Sequence, residues 1–193
     1  MATRYIAVYE RKKQVDLIIS QGKKFTSNTF SVTNEPVAFE IMANCYVVTN
    51  GAIEFMVETI LREWTSEHIK IHDKFSNYKG HKRINRFLSV VNTSIETKLN
   101  HFNDIQLDKI YELINFVAGE EIKIKFKNLL KNSRANEPDI DNRLEKIYRY
   151  RHSIAHGQKL PKETHPNLDE LKTDFNCVYK HIIKNIIKAL PRL

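Results

Sequence analysis

Between Pro36 and Trp64 the apolar residues Phe39, Ala43, Tyr46, Ile53, Val57, Ile60 and Trp64 recur mostly at three- and four-residue steps. That spacing returns each side chain to one side of a helix, so the stretch predicts a long helix opening near Asn34 to Pro36, where proline suits a first turn. Asn50 and Gly51, a turn dipeptide, interrupt the pattern and predict a weak or kinked point within it. Helical spacing returns at Ile84, Phe87, Leu88, Val91 and Ile95, and again at Leu107, Ile110, Tyr111, Ile114 and Val117 ahead of Gly119. Lys123 to Lys131 predicts a short helix, with an exposed strand as the alternative because Ile122, Ile124 and Phe126 alternate with lysines. Ser133 to Asp139 predicts a loop, after which Asp141 or Asn142 caps another helix, with Glu145 in capping-box position to Asn142. The last helix is expected from about Pro166 to Leu190, burying Leu168, Leu171, Phe175, Val178, Ile182, Ile186 and Ala189. Tyr5 to Ser20 predicts a peripheral N-terminal helix that turns Ile6, Tyr9, Leu17 and Ile18 inward.

Several amphipathic helices with no repeat or low-complexity tract between them predict an all-α, up-and-down helical bundle. The chain has 193 residues, 41% of them hydrophobic, which suffices for one domain over 1–193 to bury a core without disulfide or metal. Residues 1–33 form the expected peripheral segment and 34–193 the bundle core. Five glycines and five prolines suit a helical chain with few tight turns. The two cysteines, Cys45 and Cys177, are far apart and read as inert thiols of a reducing compartment. No signal-peptide pattern or membrane-length apolar run interrupts the sequence, so a cytoplasmic protein with no membrane partner is expected.

Charge adds a partner class. Thirty-one Lys and Arg against 23 Asp and Glu leave a formal net charge of +8, a surplus that draws phosphate backbones or anionic surfaces. Lys79, His81, Lys82 and Arg83 form one cluster, and Lys123, Lys125, Lys127, Lys131 and Arg134 another. Each reads either as a nucleic-acid footprint or as a solvated helix face.

Chemistry concentrates in Arg151-His152-Ser153-Ile154-Ala155-His156-Gly157. At about 100° per residue with Arg151 at zero, Tyr148 falls at about 60°, His152 at about 100°, His156 at about 140° and Arg149 at about 160°. Leu144, Ile147, Tyr150 and Ile154 collect on the opposite side, so one helix carries a packing stripe beside a polar arc, with Arg151 at the border. Gly157 suits a helix-ending residue and Pro161 forbids continuation, which places His156 in the last turn. A fixed guanidinium can grip a phosphate at two points, and an imidazole can act as acid or base near neutral pH.

This motif resembles the Arg-x(4–6)-His signature of the HEPN superfamily, small all-helical proteins, many of them metal-independent ribonucleases working as homodimers. The resemblance is closest to the RiboL-PSP type, whose motif helix reads hydrophobic-x-x-Arg-polar-x-Ile-Ala-His-Gly and is followed by a threonine-led helix, as Thr164 precedes one here. It implies a metal-independent ribonuclease without cofactor in which Arg151 and His156 are catalytic; on the same polar arc His152 is expected as a further catalytic proton handler and Tyr148 and Arg149 as substrate contacts. The nucleophile is the ribose 2′-hydroxyl, which selects RNA over DNA. In-line attack needs a base and an acid on opposite sides, and the resemblance implies a homodimer that sets two motifs face to face. It also implies a toxin or phage-defence setting, with an antitoxin or other regulatory protein as partner.

Other readings stand beside this one. A non-catalytic HEPN module would bind RNA, nucleotide or a protein partner without scission, and a plain helical interaction protein would use its charge for solubility. Arg151 and His156 would then be ordinary basic groups at a helix C-terminus. His68 and His72, like His152 and His156, share a helix face, but neither pair has a carboxylate or cysteine at ligand spacing, so no metal site is expected. Glu54, Glu58 and Arg62 read as a surface ion ladder, and Phe39, Tyr46 and Trp64 as core.

Overall fold

The apolar stripes become helices throughout the computed structural model, which describes residues 5–29, 35–74, 81–156 and 167–191, the side chains of 27–29, 35–36, 69–74 and 81–88 lying outside the description. In order come α1 (Ile6–Thr29), α2 (Glu35–Lys74), α3 (His81–Asn100), α4 (Leu107–Ala118), α5 (Glu120–Arg134), α6 (Ile140–Ala155) and α7 (Leu168–Val178). The last runs on through a π turn, Tyr179–Ile183, into α8 (Lys184–Ala189). The fold is an all-α bundle, as the stripes predict, and no strand occurs among the described residues.

The forty-residue α2 is the spine: it packs against α1, α3, α4, α6, α7 and α8. Contacts on several sides explain why it buries Tyr46, Ile53, Met56, Val57, Ile60 and Leu61 completely or nearly so, a wider face than one stripe. The helix passes Asn50 and Gly51 without a break in its assignment. Asn50 is buried, and its amide nitrogen donates to Glu54 Oε1 at 2.8 Å, one turn on, while its Oδ1 is buried without a hydrogen-bond partner.

Three local expectations need correction, and the helix expected over Lys123 to Lys131 holds against its strand alternative. On α1 the buried apolar side chains are Val8, Val15 and Ile19; of the four residues expected inward, Ile18 packs half-buried against the core, whereas Ile6, Tyr9 and Leu17 are half or more exposed, because α1 packs on both α2 and α7. Lys123 to Lys131 is helical, since Phe126 and Leu130 bury one turn apart while Ile124 is left exposed. The motif helix starts earlier than Asp141 or Asn142. Asp141 is taken by a two-point pairing with Arg134 (Nε to Oδ1 3.1 Å, Nη2 to Oδ2 2.7 Å), and Glu145 pairs with Arg149 at 2.6 Å instead of closing a capping box. Val91 sits at the exposed margin of α3, where Ile95 and Leu99 do the packing; Ile84, Phe87 and Leu88 lie outside the described side chains.

The C-terminal stripe is buried at every expected position from Leu168 to Ala189. Asn167 caps it, its side chain accepting from the backbone N–H of Asp169 at 2.9 Å and of Glu170 at 3.4 Å. The π turn lets neighbouring Ile182 and Ile183 both reach the core. Gly119, at φ 91°, separates α4 from α5, a left-handed conformation that glycine adopts without a Cβ clash.

Gly22 marks a close helix approach. A Cβ there would lie 2.8 Å from Cys45 Sγ on α2 and 3.1 Å from a Leu168 methyl on α7. Overpacking of this kind costs about 1–3 kcal/mol, so Gly22→Ala is expected to lower stability by that amount in denaturant unfolding, and Cys45→Ala in the same chain to recover part of it. Additive losses in the double variant would show that the two sites do not meet.

Candidate functional site

The direction of α6 is set by its buried stripe. Leu144, Ile147 and Tyr150 point into the core, and the Tyr150 ring stacks on Tyr46 of α2 with centroids 4.6 Å apart and planes 21° from parallel. Tyr46 is fully buried, and its hydroxyl donates to the Asn167 carbonyl at 3.4 Å, so one phenol joins α2, α6 and the start of α7. Burial pushes the Tyr46 hydroxyl well above its ordinary range and keeps it a neutral donor.

With Tyr150 facing α2, Arg151 falls half-buried at the edge of the α2–α6 contact. His152 and His156 turn to solvent, the rings 4.3 Å apart and tilted by 53°, and Tyr148 continues the series, 6.0 Å from His152 at 29°. Tyr148, His152 and His156 therefore form a ladder of rings, one per turn, running from half-buried Tyr148 to the exposed histidines. His156 is the C-cap: its backbone N–H bonds the His152 carbonyl at 3.1 Å, and its side chain stands free of the core. Arg149 is exposed and engaged by Glu145 on the same helix. Four of the five residues singled out in the sequence thus share the arc of α6 with Arg151 at its inner border. Gly157, Pro161 and Thr164 lie outside the described residues.

One acidic neighbour was not legible as such. Glu54, read as part of a surface ladder, is half-buried on α2, where Asn50 donates to it and the Arg151 charge acts on it across the helix contact. Burial is the strongest influence and raises the Glu54 pKa; the Asn50 hydrogen bond and Arg151 oppose it, while Asp104, from the segment joining α3 to α4, raises it further. The ladder divides here, because Arg62 leaves it to pair with Glu96 on α3 and to donate to Asn100 Oδ1 at 2.9 Å. An i,i+4 spacing shows that residues share a face and not what that face meets. Of the basic clusters, Lys79 to Arg83 lies outside the described side chains. On α5, Lys123 pairs with Glu120 at 2.5 Å and Arg134 with Asp141, leaving Lys125 and Lys131 exposed. His68 Nδ1 lies 2.9 Å from the Trp64 carbonyl, which fixes its proton on that nitrogen; the His72 side chain is outside the description.

A family model described as RiboL-PSP-HEPN matches residues 9–191, nearly the whole chain. The chain belongs to the RiboL-PSP-HEPN family. No curated protein and no solved structure matches it. Membership makes this a HEPN-type domain, a class of ribonuclease-like or nucleotide-binding modules, and agrees with the helical architecture. No helix among the described residues is long and apolar enough to cross a membrane.

Within this HEPN domain Glu54 carries a pH signature. Its folded-state pKa lies above the ordinary 4.5, so the folded chain holds the proton more tightly than the unfolded one. Its contribution to stability is therefore greatest in acid and declines as pH rises from 4.5 through the raised value. Glu54→Gln removes that decline and keeps an acceptor for Asn50, so thermal unfolding near neutral pH is expected to show a melting temperature no lower than wild type. A clear fall would mean that attraction to Arg151 outweighs the burial of the carboxylate.

Proposed function

We propose that this HEPN domain is a metal-independent endoribonuclease whose site is the arc of α6. The observation that carries the reading is the arrangement on one helix of a border arginine, Arg151, with an exposed cap histidine, His156, in a chain of the RiboL-PSP-HEPN family. Arg151 grips the scissile phosphate in two-point contact while the 2′-hydroxyl of the preceding ribose attacks phosphorus. One proton leaves the 2′-oxygen and one reaches the departing 5′-oxygen, giving a 2′,3′-cyclic phosphate and a free 5′-hydroxyl. His156 handles one of these transfers, and the other comes from a second copy across a homodimer. His152 assists as an auxiliary proton handler, Tyr148 offers a ring to a base, and Arg149 a cation to a neighbouring phosphate. Glu54 acts as a positioning residue through its charge, which attracts the Arg151 guanidinium across the α2–α6 contact.

The setting implied by the family resemblance is a toxin or phage-defence effector held in check by an antitoxin or other regulator in the cytoplasm. The second reading is a HEPN module that binds RNA, nucleotide or a protein partner without cutting. Its support is the same Glu54, whose negative charge competes with phosphate for Arg151.

Incubating the purified chain with mixed RNA in chelator, followed by analysis of new 3′ ends, tests the proposal. Wild type is expected to leave cyclic-phosphate ends. Arg151→Ala should lower kcat/KM by about 10²–10³-fold and His156→Ala by about 10²–10⁴-fold. RNA bound in a salt-sensitive way but left intact would favour the binding module, and equal cutting by all three proteins would place the activity elsewhere.

A further inference from the structure

We propose that Glu137, Cys177 and His181 form a zinc-binding site that clamps the α5–α6 turn to α7 and its π turn. One donor atom from each residue, a carboxylate oxygen, the thiol sulfur and an imidazole nitrogen, lies within 4.8 Å of the other two. The residues come from two separate parts of the fold. Cys177, in the last turn of α7, and His181, in the π turn, are four apart on a continuous helix and so share a face. Glu137 approaches from the turn after α5, its backbone N–H bonded to the Ser133 carbonyl at 3.0 Å and its Oε1 accepting from Arg143 Nη2 at 3.3 Å.

Thiolate, imidazole and carboxylate together suit zinc rather than a hard cation such as magnesium or calcium. Three protein ligands leave a fourth tetrahedral position for water. Bonds of about 2.0–2.3 Å in a tetrahedron set the donors roughly 3.3–3.8 Å apart, so closure needs side-chain shifts of about 1 Å. Cys177 is buried while Glu137 and His181 are half-buried, which gives an ion a route in and a dry sulfur once there. On binding, the Cys177 thiol releases its proton to solvent, and thiolate plus carboxylate balance the two positive charges. Arg143, which orients Glu137, has its own charge answered by Asp174 at 3.0 Å, a supporting contact of the kind that fixes ligand direction.

This site is separate from the Arg151 and His156 arc. Arg143 and Arg151 are eight residues apart on α6, about 12 Å along its axis. The inference therefore stands whether or not the chain cuts RNA.

The test is a cobalt titration of the chelator-stripped full chain, followed by zinc. Wild type is expected to bind one cobalt ion with a thiolate-to-cobalt charge-transfer band and the strong visible bands of a four-coordinate ion, to lose both when zinc is added, and to melt higher as zinc rises. Cys45→Ser should keep the band and Cys177→Ser abolish it. His181→Gln and Glu137→Gln, at half-exposed positions, should weaken zinc binding by at least about tenfold. Cobalt held by the exposed His152 and His156 pair would give no thiolate band. A wild-type spectrum without that band, or a band that survives in Cys177→Ser, overturns the proposal. The RNA assay in chelator, run well below the melting temperature of the stripped chain, is expected to be unaffected by Cys177→Ser.

Discussion

The stack of Tyr150 on Tyr46 fixes how α6 is rotated on α2, and the chemistry of this chain takes its directions from that rotation. A helix is rigid over a few turns, so once one residue is pinned its neighbours have no freedom of azimuth. Pinning Tyr150 toward the spine brings Arg151 to the edge of the contact and turns His152 and His156 outward. The Tyr46 hydroxyl, spent on the Asn167 carbonyl, extends the same constraint to the residue that caps α7. A single buried ring therefore aligns the motif helix with both of its packing partners.

Most of the fold was legible because the chain is helical and its stripes are long. The C-terminal stripe could be read residue by residue, since seven apolar positions at consistent spacing leave one solution for the buried face. The α1 face was misread for the converse reason: Ile6, Tyr9 and Leu17 compete with Val8, Val15 and Ile19, and only the neighbours α2 and α7 decide between them. The start of α6 was misplaced because Asp141 looks like a cap locally, while the arginine that claims it is seven residues upstream on another helix. The candidate site divides in the same way. Its α6 residues lie within nine positions and obey one helix wheel, whereas Glu54 is about a hundred residues away, and nothing in an i,i+4 ladder says that its first rung comes under the charge of Arg151.

Charge is spent unevenly in this bundle. The +8 surplus is largely a surface quantity, but Glu54 and Glu58 are carried half-buried on the spine, and Asp174 is buried between α6 and α7. In all three, burial raises the carboxyl pKa against the pull of nearby cations. Ion groups held this way add little net stability, because desolvation offsets most of the Coulomb attraction. Their consequence is geometric. Asp174 receives Arg143 at 3.0 Å and has Lys146 at 3.9 Å, so α6 and α7 have one preferred register where apolar side chains alone would tolerate several.

The two ends of α6 are consequently held by different forces. Near its start, Arg143 and Lys146 tie it to α7 through ions, and Arg143 also holds the Glu137 carboxylate beside Cys177 and His181. Near its end, aromatic stacking holds one side while the histidine ladder stays open to solvent. A ligand at the open end needs exposed, adjustable side chains on a fixed axis, and a clamp at the closed end supplies the fixed axis without occupying the exposed face. Stiffening the start of α6 therefore narrows the range of positions open to Arg151 and His156, although neither residue touches the groups that do the stiffening.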